Sequence, residues 1–157
     1  MKYEISTVQF NALLNGTLIK TDKGDIPIEN IKIGDMVLTH KNRYCEVSDV
    51  MSKFEDKEYF EMILDNGNII NITGEHPVYV YHKQRTIGGI KRYYVWFSID
   101  SLNFDNEIVC ADNKSYKINS MIRKKIINET LHNLAVKDDE SYIANGIIVH
   151  NCANVLT

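Results

Sequence analysis

Hydrophobic and polar residues alternate along this chain in short runs, a pattern typical of half-buried β-strands. The runs end at clusters of Gly, Asn and Asp, which favour turns. Residues 118–130, with a centre rich in Lys and Arg, form the one segment whose pattern is compatible with a helix. We predict strands over residues 17–20, 26–28, 31–33, 36–38, 59–64, 68–72, 78–81, 93–97, 107–110, 141–144 and 147–150.

Two Asn-Gly pairs mark tight turns between predicted strands. Asn66-Gly67 separates two of them, and Asn145-Gly146 separates the last two. Asn-Gly tolerates the left-handed backbone of a short hairpin, so each pair predicts antiparallel pairing of its flanking strands. Many short strands with frequent turns indicate an all-β fold in one domain, with no internal repeat.

Composition narrows the function classes. A hydrophobic content of 44% over 157 residues is enough for one domain with a proper core. The net charge of −3, with both signs interspersed, does not favour nucleic-acid binding. No apolar run is long enough to span a membrane and no signal-peptide pattern is present, so we expect no membrane partner. We also expect a monomer, in the reducing cytoplasm that is the default for a chain without a disulfide framework. The three cysteines have unrelated spacings and predict neither disulfides nor a zinc site, and we expect Cys45 and Cys110 in the core.

The segment His150-Asn151-Cys152 near the end of the sequence is chemically the most informative. The amide nitrogen of an Asn can attack its own backbone carbonyl, which forms a succinimide and breaks the following peptide bond. The neighbouring His can transfer the protons that this step needs, and Cys is the strongest ordinary nucleophile. This order of residues fits a protein that cuts or rejoins its own backbone.

A second candidate feature is the segment from Thr73 to Pro77. Thr73 and His76 are three residues apart between two predicted strands, so both side chains can reach one peptide group. Pro77 fixes the backbone just after the His. We expect both residues on a turn, where truncation costs at most about 1 kcal/mol, the range of ordinary surface hydrogen bonds. If the turn is only structural, Thr73 caps a neighbouring amide and His76 is half-exposed.

These segments resemble the motifs of inteins. The segment from Thr73 to Pro77 resembles the T-x-x-H box, and residues 143–152 resemble the C-terminal splice junction. Residues 12–19 are similar to the first intein block, residues 28–37 to its I-x-x-I-x-x-G-D-x-V stretch, and residues 96–102 to the segment after the T-x-x-H box. The resemblance therefore runs in order from residue 12 to residue 151.

The resemblance implies a mini-intein without a homing endonuclease. Its expected parts are an N-extein stub at residues 1–11, a splicing domain at residues 12–151 and a C-extein stub at residues 152–157. The implied fold is the Hint fold, a pseudo-twofold β-horseshoe with at most one or two short helices. The implied activity is single-turnover protein splicing in cis, with the flanking exteins as its partners and no metal or other cofactor.

The resemblance also implies roles for single residues. Thr73 and His76 would polarise the Asn11–Ala12 bond, Asn151 would cyclise with help from His150, and Cys152 would accept the N-extein.

Departures from the family pattern leave alternatives open. Ala12 stands where a Cys or Ser nucleophile is usual, so the first acyl shift is not available. Either Ala12 arrests the chain as an unspliced precursor, or Cys152 attacks the Asn11–Ala12 bond directly, as in inteins that begin with Ala. Asn133 stands where relatives often have Asp, Glu140 where many have His, and His132 lies in the same block, so these three are candidate assisting residues.

Two other classes compete with splicing. An autoprocessing domain of the hedgehog or bacterial intein-like kind would cleave at its termini without ligation. A β-rich binding module with Cys and His around zinc is the second rival, but the scattered positions of these residues do not fit a zinc site.

Overall fold

The computed structural model describes residues 10–151. Within this range the regular structure is β-strand apart from two 3-10 turns, Ile28–Asn30 and Ile99–Ser101. The predicted all-β fold is confirmed, and each predicted strand overlaps an observed one except residues 31–33, which connect the first 3-10 turn to the strand at Met36–Leu38. The strands are β1 (Leu13–Leu14), β2 (Leu18–Thr21), β3 (Gly24–Pro27), β4 (Met36–Leu38), β5 (Tyr44–Leu64), β6 (Ile69–Ile72), β7 (Pro77–Thr86), β8 (Gly89–Ser98), β9 (Glu107–Val109), β10 (Ser115–Val136), β11 (Ser141–Ala144) and β12 (Ile147–His150).

The strands join one sheet through antiparallel pairs. Their order along the main path is β11-β12-β7-β9-β10-β1-β6-β5-β4-β2-β3, and β8 pairs with β7. Further pairings of β10 with β5 and of β11 with β2 link strands that are distant on this path. The sheet therefore folds back on itself and encloses a core.

β5 and β10 form a long ribbon that the sequence did not predict. They pair from Leu64 with Ile118 to Val47 with Val136, with a register shift between Ile126 and Glu129. Residues 118–130, whose pattern is compatible with a helix, are instead part of β10. Phe54 and Ile127 in the middle of the ribbon are 66% and 68% exposed. Backbone pairing holds this part of the ribbon, so its side chains need not alternate between core and solvent.

The order of elements in the first half of the chain recurs in the second half. A strand pair, a 3-10 turn, a short strand and a long strand follow one another as β2 to β5 and again as β7 to β10. The turn, the short strand and the long strand begin at residues 28, 36 and 44 in one half and at 99, 107 and 115 in the other, with equal spacing. The pairings of β4 with β2 and β5 match those of β9 with β7 and β10. This recurrence agrees with the pseudo-twofold fold that the resemblance implies, although the sequence shows no internal repeat.

The main core is built from aliphatic side chains of both halves. Ile19, Val37, Val80 and Ile108 in it are fully buried. Cys45 and Cys110 are buried in the same cluster, which confirms their predicted place. Burial raises the pKa of the Cys110 thiol to about 11, so this residue is a neutral core side chain at physiological pH.

The short strand β1 lies in the middle of the sheet, between β6 and β10. Leu13 pairs with Ile72 on one side and with His132 on the other. This insertion buries Ala12 completely. The start of the predicted splicing domain is thus placed beside the segment that follows β6.

The last hairpin brings the other end of the domain to the same place. Asn145 and Gly146 join β11 to β12 with φ values of 50° and 81°, as the Asn-Gly pair predicted. β12 then pairs with β7 at Val149 and Val78. Because β7 directly follows the T-x-x-H segment, residue 150 lies next to it.

Candidate active site

Thr73 holds the backbone of Ala12 through two hydrogen bonds. The Ala12 amide donates to the Thr73 hydroxyl over 2.9 Å. The Thr73 amide donates to the Ala12 carbonyl over 3.0 Å. Both residues are fully buried. These contacts fix the nitrogen of the Asn11–Ala12 peptide bond, which the resemblance marks as the N-terminal junction.

His76 connects this junction to the other end of the domain. Its Nε2 donates a hydrogen bond to the carbonyl of His150 over 2.8 Å, so the neutral ring carries its proton on Nε2. Burial lowers the pKa of His76 from 6.5 to about 4, although the carbonyl of His150 and the nearby Ala12 backbone each raise it. The imidazole is therefore neutral at physiological pH, and its other nitrogen is free to accept a proton.

The burial of Thr73 and His76 corrects the sequence-based expectation of an exposed turn. Both side chains are 0% exposed. The segment between β6 and β7 does turn, but it turns inward, because β1 covers one side and β12 the other. With this burial we expect truncation of either side chain to cost more than the limit of about 1 kcal/mol that a surface turn implies.

The second 3-10 turn holds the T-x-x-H segment in place. The amide of Ile99 donates to the His76 carbonyl over 3.1 Å, and the amide of Asp100 donates to the Gly74 carbonyl over 2.8 Å. A Cβ atom on Gly74 would lie 2.3 Å from Oδ1 of Asp100. These atoms belong to the end of an exposed side chain, so a Cβ here would only require the Asp100 carboxylate to turn away.

Asn133 contacts the N-terminal junction directly. Its side-chain nitrogen donates to the carbonyl oxygen of Asn11 over 2.6 Å. The side chain is fully buried on β10. The junction is therefore held on both sides of the peptide bond, by Thr73 at its nitrogen and by Asn133 at its oxygen.

The C-terminal junction is organised by His150 and by the residues before β11. Nδ1 of the half-buried His150 lies 3.0 Å from the carbonyl oxygen of Asn151 and donates to it when protonated. The Asn151 amide donates to the Glu140 carbonyl over 2.8 Å. When the side-chain amide of Asn151 is oriented so that both its oxygen and its nitrogen have partners, the oxygen accepts from the Val136 amide over 3.1 Å. The nitrogen then donates to the Glu140 carbonyl over 3.2 Å and, when Nδ1 of His150 is unprotonated, to that atom over 3.3 Å.

Glu140 takes part in this arrangement through its backbone. Its side chain is exposed, and its φ of 56° turns the carbonyl toward Asn151. The neighbouring Asp139 anchors this turn, because its buried carboxylate accepts hydrogen bonds from the Thr39 hydroxyl over 2.5 Å and from the Arg43 guanidinium. The Arg43 guanidinium holds the pKa of Asp139 well below its usual range.

An aromatic cluster beside His150 was not found by sequence reasoning. The ring of Trp96 meets that of His150 edge-on at 4.9 Å and that of His40 at 5.3 Å. His40 lies in a turn and is half-buried, and burial lowers its pKa. The sequence carried no signal for this contact, because His40 and Trp96 meet only in the folded chain.

The other predicted site residues lie elsewhere. Nε2 of His132 is hydrogen-bonded to the side chain of Asn15. Cys152, the remaining residues of the expected C-extein stub, and residues 1–9 of the expected N-extein stub lie outside the described residues. Within residues 10–151, no group of three or more His, Cys, Asp and Glu side chains is placed to hold a metal ion. The same range has no helix that is long and apolar enough to cross a membrane.

Comparison with known proteins gives partial sequence matches. A model of the Hint domain family matches residues 11–62. An iron-sulfur cluster assembly SufBD family protein of Mycobacterium bovis is 38% identical over 65 residues, which are 40% of this chain. The chain spans only 8% of the length of this relative.

Comparison with solved structures covers nearly the whole chain. The gp41-1 intein superposes with a TM-score of 0.70 at 24% identity, over 91% of this chain and 100% of that one. The bacterial intein-like domain from Clostridium thermocellum gives a TM-score of 0.68 at 23% identity, over 91% and 100%. The chain therefore has the Hint fold, which confirms the predicted fold class, and these matches support the predicted resemblance to inteins.

Proposed function

We propose that this Hint-fold chain is an intein, a domain that excises itself at the Asn11–Ala12 and Asn151–Cys152 bonds and joins the flanking segments. One observation carries the proposal. The buried T-x-x-H segment contacts both ends of the domain, Ala12 through Thr73 and the His150 carbonyl through His76. A turn with only a structural role would not have to place Ala12 and His150, which are far apart in sequence, next to one buried, neutral imidazole.

At the N-terminal junction, the proposal is that Ala12 arrests the chain as a precursor. Alanine has no side-chain nucleophile, so the shift of the Asn11 acyl group onto residue 12 cannot take place. With Cys at this position, the thiolate would attack the Asn11 carbonyl carbon, and the C–N bond would break as the amine took up a proton. Thr73 and His76 serve this step by fixing the peptide nitrogen and by supplying a neutral imidazole.

At the C-terminal junction, the proposal is that Asn151 cyclises. Its side-chain nitrogen attacks its own carbonyl carbon, a succinimide forms, and the bond to Cys152 breaks with release of a protonated amine. Nδ1 of His150 lies 3.0 Å from the oxygen that becomes negatively charged, and donates a hydrogen bond to it when protonated. None of these groups depends on the side chain of residue 12, so we expect slow release of residues 152–157 even from the Ala12 chain.

Mass spectrometry of the full chain carrying Ala12→Cys tests the proposal. The expected products are free residues 12–151 and a ligated peptide in which Asn11 is joined to Cys152. Adding Cys152→Ala should abolish ligation and leave N-terminal cleavage by dithiothreitol. Adding Asn151→Ala should prevent release at the C-terminal junction, because alanine has no amide to close the ring.

The other outcomes separate the alternatives. A single unchanged mass after days, with and without dithiothreitol, contradicts the proposal. Cleaved fragments without ligation would indicate an autoprocessing domain. A ligated product from the Ala12 chain itself would show that Cys152 attacks the Asn11–Ala12 bond directly and that Ala12 does not arrest the chain.

A further inference from the structure

The carbonyl group of Asn11 has a dedicated side-chain donor. Nδ2 of Asn133 lies 2.6 Å from the Asn11 oxygen, although the two residues are 122 positions apart in the sequence. This oxygen gains negative charge when any nucleophile attacks the carbonyl carbon. A donor already aimed at it in a water-poor site stabilises the transition state without having to reorganise.

The orientation of the Asn133 amide is fixed by two further hydrogen bonds. Its Oδ1 accepts from the Tyr142 hydroxyl over 2.6 Å and from the Leu134 amide over 2.7 Å. Both partners are donors at this oxygen, so a flipped amide would place its NH2 group against two donors. Asn133 and Tyr142 are both fully buried, and water therefore does not compete for these contacts.

We propose that Asn133 is the oxyanion donor of the N-terminal junction and that Tyr142 is its positioning residue. This inference rests on the proposed function, because it assigns a role within the same cleavage step. The side-chain nitrogen of Asn133 donates to the Asn11 oxygen in the intact peptide and in the tetrahedral intermediate. The amide does not ionise, so its effect is independent of pH.

A carboxylate in the same place would act in the opposite way. An ionised Asp has no proton to donate and would place a negative charge beside the oxygen that becomes negative. A protonated Asp regains a donor. Asn133→Asp therefore keeps the size of the side chain, and it makes the reaction depend on pH.

The kinetic test uses the full chain with Ala12→Cys, and measures cleavage at the Asn11 carbonyl by dithiothreitol. Asn133→Ala should slow this cleavage by roughly 10²-fold or more at every pH, the usual scale for a lost oxyanion donor. Asn133→Asp should be slowed as strongly as Asn133→Ala at pH 8. As the pH is lowered toward 5, its rate relative to the Ala12→Cys chain at the same pH should partly recover. Tyr142→Phe should give a smaller loss, because the Leu134 amide still orients Asn133.

Release of residues 152–157 at the Asn151 junction is the internal control for folding. If Asn133→Ala loses both reactions it is misfolded, and the oxyanion role is then judged by Asn133→Asp and Tyr142→Phe, measured in the same way. If the Ala12→Cys chain itself is inert at both junctions, the proposed function fails. If that chain is active and Asn133→Ala and Asn133→Asp cleave at its rate, the oxyanion role is wrong while the proposed function stands.

The hydrogen bond itself can be measured in the unreacted Ala12 chain. Asn11–Ala12 is the only Asn-Ala pair in the sequence. A sample with 13C-carbonyl Asn and 15N Ala therefore gives one HNCO cross-peak, which reports the Asn11 carbonyl. We expect an upfield carbonyl shift in Asn133→Ala and a smaller one in Tyr142→Phe. An unchanged carbonyl shift in Asn133→Ala would overturn the proposed contact.

Discussion

Acid should destabilise this protein through His76 in a defined pH window. The imidazole is fully buried, and burial lowers its pKa from 6.5 to about 4. In the unfolded chain the same group titrates near its ordinary value of about 6.5. Between these two values the unfolded chain binds a proton that the folded chain does not bind. The free energy of unfolding must therefore fall as the pH falls through this window.

The size of the effect follows from the two pKa values of His76. Linkage gives a loss of about 2 kcal/mol at pH 5 and about 3 kcal/mol at pH 4, relative to neutral pH. His40 and His132 also have lowered pKa values because of partial burial, and they act in the same direction. The depressed pKa of Asp139 affects stability only below the ordinary range of an Asp carboxyl, so measurements at pH 5 and above exclude its contribution.

The assay is urea unfolding at pH 7.5 and pH 5.0, followed by the fluorescence of Trp96, the single tryptophan. His76→Gln removes the titrating group and keeps a nitrogen donor for the His150 carbonyl. The parent chain should lose about 2 kcal/mol more than His76→Gln between the two pH values. His132→Gln is the matched control and should leave most of the parent's pH dependence in place. Equal losses in the parent and in His76→Gln would refute the reasoning.

Two other predictions concern the surroundings of the junctions. Gly74→Ala should cost less than about 1 kcal/mol in urea unfolding, because the exposed carboxylate of Asp100 can turn away from the new Cβ atom. A loss of more than about 2 kcal/mol that Asp100→Ala does not relieve would show that the backbone around Gly74 leaves no room for a Cβ atom. Glu140→Gln should leave the rate of release at Asn151 unchanged in mass spectrometry, because the contact is made by the Glu140 backbone carbonyl. A tenfold slower release, an effect of about 1.4 kcal/mol on the barrier, would instead assign the carboxylate a chemical role.

The sequence predicted those parts of the fold that local chemistry determines. The Asn145-Gly146 hairpin was predicted because its backbone geometry depends on these two residues. The ribbon of β5 and β10 was not predicted, since much of it is exposed on both faces and leaves no alternation to detect. The recurrence of elements in the two halves is likewise a repeat of geometry without an evident repeat of residues.

In the candidate site, too, the sequence predicts the reactive residue types but not how they are packed. The residue types of Thr73, His76 and Asn151 stand out in the sequence because of their reactivity and their resemblance to intein motifs. Their burial does not stand out, because it depends on strands from distant parts of the chain. The contact of Asn133 with Asn11 is also set by tertiary packing, and reasoning from the sequence alone could name Asn133 only as a candidate.

The central position of β1 has a consequence for the time at which the site can form. β1 lies near the start of the chain, yet one of its neighbours in the sheet is β10. The Asn11 carbonyl therefore gains its hydrogen-bond donor, Asn133, only after β10 has been synthesised and has paired with β1. Contacts between residues so far apart give a high contact order and slow folding. During synthesis Ala12 leaves the ribosome long before Asn133 and His150 exist, and until then Asn11–Ala12 is an ordinary amide. Under the proposed function, topology thus sets the earliest moment at which either junction is activated.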